Sequence, residues 1–205
     1  MLYRFAGYAS IVSGLCVALG QVIHPPEVLA NVTTSAWATA HQLLFVGIVV
    51  GIAGVFGVYA RQYRETGSLG LAGLAGILIG MCVFLGIVFF EAFFSAAIAI
   101  GAPEFAKILY GAPPGGALAV VLMLGGLLFA VGWVAFGVAT ARARILSSTA
   151  AILAAIGGVL LGFNVLLPQM LVKIGAVMFG IGVAWLGYGL VKAADSRPTS
   201  AAIAR

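Results

Sequence analysis

The sequence predicts an all-α polytopic membrane protein, a bundle of six transmembrane helices that suits three tandem helical hairpins. Three observations carry this. Of 205 residues, 63% are apolar and only 7% charged, against roughly 25% charged in soluble domains; a soluble fold of this size has no core large enough to hide such a surface. The apolar residues fall into runs of about 20, the length that crosses a bilayer as helix. Gly is abundant, at 29 residues spread along the whole chain, and small residues let helix backbones approach closely in lipid.

The runs follow in order. The first covers residues 5–23 and stops at His24-Pro25-Pro26. The second covers 37–60, with Thr34 or Ser35 placed to cap it. The third starts near Ser68 and stays apolar to about residue 100, long enough to tilt or to protrude past the membrane. The fourth covers 116–139, the fifth 145–167 with a stop at Pro168, and the sixth 170–191. These runs make one domain, residues 1–191. The polar, Ala-rich segment 192–205 is expected to be a disordered tail. Between the third and fourth runs, residues 103–110 suit a short interfacial helix with Phe105 and Tyr110 at headgroup level, and Gly111 to Gly116 suits a turn. With an offset of 50, Gly125, Gly132, Gly137 and Arg142 fall on Gly175, Gly182, Gly187 and Lys192, which is the pattern behind the hairpin reading.

Cations set the orientation. Arg4, Arg61, Arg64, Arg142, Arg144, Lys192, Arg197 and Arg205 fall on one side and Lys107 and Lys173 on the other, eight against two. Both termini are therefore expected in the cytoplasm, in a bacterial inner membrane. A competing reading takes Arg4, the first run and Ala18-Leu19-Gly20 as a signal peptide, which leaves five helices. The formal charge of +5 does not indicate nucleic acid, because no basic patch is large enough to track phosphates. Cys16 and Cys82 lie inside apolar runs and read as packing residues. No nucleotide-binding glycine motif sits at a strand-to-helix junction, and no Ser-His-Asp set can be assembled.

An ionisable side chain in lipid is costly and marks a candidate site. The candidates are Glu91, Lys173, His24 and His41. Glu91 lies about 34 Å along the third helix from Ser68, near the outer boundary. His24, His41, Lys173, Gln21, Gln42, Asn164 and Gln169 fall at similar depth, so the polar residues gather in one outer layer. Three readings of that layer stand. It is interfacial, with Lys173 snorkelling and paired to Glu91. Alternatively, Glu91 and Lys173 anchor a small polar or amphipathic ligand, with Asn164 and Gln21 as hydrogen-bond partners and Phe84, Phe89, Phe90, Phe93 and Phe94 as an apolar wall. Or His24 and His41, with Glu91, hold a metal, or the two His a haem; on the other readings no cofactor is needed.

The stretch Gly132-Trp133-Val134-Ala135-Phe136-Gly137, then Arg142 and Arg144 and the apolar run from Ile145, resembles the late helix, basic turn and following helix of six-helix bacterial membrane proteins of unknown function of the DUF4386 type. Leu69-Gly70-Leu71-Ala72-Gly73 after the polar turn 61–67 is similar in style. The resemblance covers the bundle in outline, implies a six-helix membrane fold and supplies no catalytic residue. The expected role is non-enzymatic: binding a lipophilic or amphipathic ligand, or serving as a subunit of a larger membrane assembly, with membrane lipids, other subunits or further copies as partners. A small-molecule transporter with an outer polar pocket and a metal- or haem-dependent redox protein are the alternatives.

Overall fold

Proline ends the first helix, because the residue ahead of it is pushed out of the α region. The computed structural model describes residues 1–111 and 115–195. In it α1 spans Leu2–Ile23, and His24 leaves the helix at φ −59°, ψ 120° ahead of Pro25. A 3-10 turn at Leu29–Asn31 leads to Thr34, whose hydroxyl accepts from the Trp37 N–H at 3.2 Å and caps α2 (Ser35–Phe93). Then come α3 (Ser95–Gly101), α4 (Pro103–Tyr110), α5 (Gly116–Ala143), α6 (Ser148–Gly162) and α7 (Gln169–Asp195). Arg144, at φ 53°, turns the chain out of α5, and the Ser147 hydroxyl caps α6 by accepting from the Ala150 N–H.

The 59-residue α2 is two rods. Gly67 has φ 56° and ψ −149°, a region essentially closed to residues with a Cβ, and there the chain reverses. Phe45 on the first limb and Phe93 on the second have ring centroids 5.5 Å apart; a straight helix would hold them about 72 Å apart.

The long rods pack antiparallel around a closed ring. Gly7 meets the Gly187 carbonyl and Gly14 that of Gly180, joining α1 to α7. Gly57 meets Ala6 and Gly20 meets Ala40, joining α1 to the first limb of α2. The second limb meets α5 through Gly73 and Gly132, α5 meets α6 through Gly126 and Gly162, and α6 meets α7 through Gly157 and Gly175. At these crossings a backbone occupies the space a side chain would need.

The crossings recur in register. Gly132 sits against the backbone N of Ile77 and the carbonyl of Gly73, while Gly182 sits against the N of Ala154 and the carbonyl of Ala150. Gly80 faces the Gly125 carbonyl and Phe129, as Gly157 faces the Gly175 carbonyl and Phe179. The offset of 50 legible in the sequence is thus the spacing of equivalent packing contacts. In the first pair of rods, Gly54 sits against the backbone N of Ser10 and Gly47 against Cys16, which occupy the places of Gly132, Ile77, Gly125 and Val83.

Among the described residues four helices, α1, α2, α5 and α7, are long and apolar enough to cross a membrane. Two expected runs are shorter than their apolar composition suggested. The third breaks at Phe94. The fifth, expected over 145–167, is helical only over Ser148–Gly162, because Phe163 leaves the helix at φ −102°, ψ 24° into a 3-10 turn at Asn164–Leu166. At 15 residues α6 is about 22 Å long. In the expected tail, Lys192 to Asp195 continue α7, and residues 196–205 lie outside the described residues, as does the middle of the turn from Gly111 to Gly116.

Candidate functional site

The ring encloses an axial cavity of about 110 Å³ lined from all six long rods. Its wall is apolar and aromatic: Phe84, Phe129, Trp133, Phe136 and Phe179 stand with Val, Leu and Met side chains. Equivalent positions of the three rod pairs supply it in parallel. Val17, Phe84 and Leu161 line it from one set, and Val55, Trp133 and Val183 from the other. Trp133 packs edge-on against Phe179 at 4.9 Å and against Phe136 at 5.9 Å, which fixes the rings. Polar groups are few. Ser10 and Ser13 lie in the wall, and the Ser10 hydroxyl already donates to the Ala6 carbonyl. Gln21 and Asn164 lie at the end where α1 and α6 stop. The indole N–H of Trp133 is buried with no hydrogen-bond partner among the described residues.

One turn beyond Val58 and Phe136, the opposite end is filled. Gln62, fully buried, donates through Nε2 to the Thr140 hydroxyl at 2.6 Å. The cavity therefore has polar side chains at the end where α1 and α6 stop and a plug at the other.

Beside the end that holds Gln21 and Asn164 lies a second cluster. His24 and His41 are both buried, with Nε2 atoms 3.2 Å apart. His24 Nδ1 lies 2.7 Å from the Pro25 carbonyl and His41 Nδ1 2.9 Å from the Trp37 carbonyl. Trp37 covers them, its ring 4.5 Å from that of His41 and 5.6 Å from that of His24. Burial pushes the His24 imidazole below its ordinary value, and Lys173 adds to that; the Pro25 carbonyl and the charge of Glu27 act the other way. Edge-on to Trp37 is Tyr110 of α4, whose hydroxyl reaches Glu91 Oε2 at 2.9 Å and Ser95 Oγ at 2.8 Å. Burial pushes the Tyr110 phenol well above its usual value, and the Glu91 carboxylate adds to that. Ser95 Oγ also donates to Glu91 at 3.0 Å. Gln169 at the start of α7 donates to the carbonyls of His24 and Pro25, which ties α7 to the end of α1.

The residues singled out from sequence are therefore divided. Gln21 and Asn164 line the cavity, while Glu91 and Lys173 do not. The expected Glu91–Lys173 ion pair is not formed among the described residues: Lys173 Nζ donates to the Val22 carbonyl at 3.0 Å, and Glu91 is held by Tyr110 and Ser95. The physical reason is ring order. Glu91 lies on the second limb of α2, whose neighbours are the first limb and α5, whereas α7 neighbours α1 and α6. Of the five Phe expected as a wall, Phe84 lines the cavity, and Phe89, Phe93 and Phe94 are exposed on the outside. His24 and His41 do come together, but Glu91 does not join them: no group of three His, Cys, Asp or Glu side chains suited to a metal occurs among the described residues. Sequence reasoning missed Trp37, Ser95, Trp133, Gln62 and Thr140. Only Gln62 and Thr140 carried a signal, as polar residues within helices beside basic turns.

Compared with known proteins, the chain matches no family model, no curated protein and no solved structure. Fold and site define a class on their own: an all-α bundle with a Gly-packed ring of rods around one apolar cavity.

Proposed function

We propose that this chain is an integral membrane protein that crosses the bilayer six times as three tandem hairpins, and that its role is to hold a small lipophilic or amphipathic ligand in the axial cavity. The observation that carries the reading is the cavity: apolar walls, polar side chains at one end, and an orphan indole donor in its lining. Small-molecule sites have this composition, an apolar enclosure with few polar groups. A cavity of about 150 Å³ lined by apolar side chains takes up benzene, so about 110 Å³ suits a ring or short chain. The ligand's polar end lies between Gln21 and Asn164, and an acceptor oxygen on its body satisfies the Trp133 N–H. The membrane reading is supported by the outward belt of apolar residues such as Leu15, Val49, Leu124, Val131 and Ile181, and the cation bias supports both termini in the cytoplasm. The Gln62–Thr140 plug favours binding over a path through the bundle.

The test is native mass spectrometry of the detergent-purified chain with Val55→Phe and Val183→Phe, which fill the cavity, and Val121→Phe, which faces outward. The reading expects a co-purifying small molecule that the first two variants lose and the third keeps. Retention of the same molecule in both cavity variants would overturn it.

A further inference from the structure

The His24–His41 pair poses a chemical problem. Each Nδ1 faces a backbone carbonyl oxygen, which only accepts, so each Nδ1 carries the hydrogen. Two neutral imidazoles then present bare Nε2 lone pairs to each other at 3.2 Å. Facing acceptors repel, and the arrangement is at rest only with a cation between them.

We propose that His24 and His41 form a binding site for one divalent transition-metal ion, coordinated through both Nε2 atoms, with the remaining positions taken by water or by a donor atom of a ligand at the cavity mouth. The anchoring supports this: metal-ligating imidazoles typically donate their other N–H to a carbonyl or carboxylate, which fixes ring and tautomer. The separation supports it too. With metal–nitrogen bonds of about 2.05 Å, nitrogens 3.2 Å apart subtend an angle of about 100°, close to that of a four-coordinate ion. The ring centroids, 4.7 Å apart, are nearer than head-on rings would be, so the two lone pairs are inclined to one another. Haem does not fit, because axial ligands on opposite faces stand about 4 Å apart with a macrocycle between them. Linear two-coordinate binding is excluded by the same distance. Imidazole suits zinc, copper and nickel. Among the charged groups near the pair, Glu27 offsets the ion's charge and Lys173 opposes it.

The chain has only two histidines, which makes the test selective. The full chain, purified without a polyhistidine tag and stripped with chelator, is titrated with Cu²⁺ and followed by electron paramagnetic resonance. The proposal expects one Cu²⁺ per chain with coupling to two nitrogens, quenching of Trp37 fluorescence, and at least tenfold weaker binding in His24→Gln or His41→Gln. A measurement on the unaltered chain covers the case in which the variants fail to fold: with ¹⁵N-labelled histidine, Zn²⁺ is expected to shift the Nε2 resonances of both rings. Binding without two-nitrogen coupling overturns the proposal. So does a single proton bridging the two Nε2 atoms that neither ion displaces, which would make the pair a proton site instead.

Discussion

Adding one methyl at Gly132 tests the packing logic of the whole ring. A Cβ there would lie 2.6 Å from the Ile77 backbone N and 2.9 Å from the Gly73 carbonyl oxygen. Both partners are backbone, so neither can rotate away, and α5 must move off the second limb of α2 by nearly an ångström. Overpacking of this kind costs about 1–3 kcal/mol. Removing a helical glycine returns about 0.5–1 kcal/mol. Gly132→Ala is therefore expected to be destabilised by about 1 kcal/mol. Gly182→Ala, whose Cβ would meet the Ala154 N and the Ala150 carbonyl, should behave the same way. Gly86→Ala has nothing within 4 Å and should be stabilised by about 0.5 kcal/mol. Reversible unfolding in mixed micelles measures all three. If Gly132→Ala matches or exceeds the unaltered chain in stability, close backbone approach is not what holds α5 to its neighbour. If Gly132→Ala and Gly182→Ala differ widely in cost, the two crossings are not equivalent.

Thr140→Val should cost about 1–3 kcal/mol, because it strands the fully buried Gln62 amide; adding Gln62→Leu should recover part of that, and the same unfolding assay shows whether it does. Tyr110 makes a pH prediction. Its phenol is held above the ordinary value of about 10, so as pH rises past 10 the unfolded chain ionises while the folded one does not, and the folded state loses stability. One of the six tyrosines should fail to ionise with the rest in an absorbance titration, and Tyr110→Phe should remove that anomaly together with part of the alkaline slope in stability.

Much of the bundle was legible in composition. Apolar runs reported where rods lie, Pro25-Pro26 reported the end of α1, and the Gly offset of 50 between α5 and α7 reported equivalent contacts, because in a Gly-packed bundle the crossing points are the glycines. Rod ends were harder to read. Phe94 and Phe163 break helices while remaining apolar, so hydropathy runs straight through them. The site was legible only as a list of members. Polar residues announced a layer at one end of the bundle, but pairing depends on which rods are neighbours, and nothing local encodes that. Glu91 and Lys173 have opposite charges and were expected at similar depth, yet they belong to rods that do not adjoin. His24 and His41 sit on either side of a connecting segment; each ring is anchored locally, by the Pro25 and Trp37 carbonyls, but only the packing of α1 against the first limb of α2 brings their Nε2 atoms together.

The contact of α1 with α7 has a consequence for biogenesis. Gly7 and Gly14 are synthesised well ahead of their partners, Gly187 and Gly180, and stay without them until α7 emerges. Until then the growing chain is an open gutter, with the side chains of the future cavity uncovered along one side. A chain truncated before Gln169 should remain in that state and be handed to quality control, while exposed Arg4 and Asp195, which form an ion pair across the seam, would mark the molecules in which closure is complete.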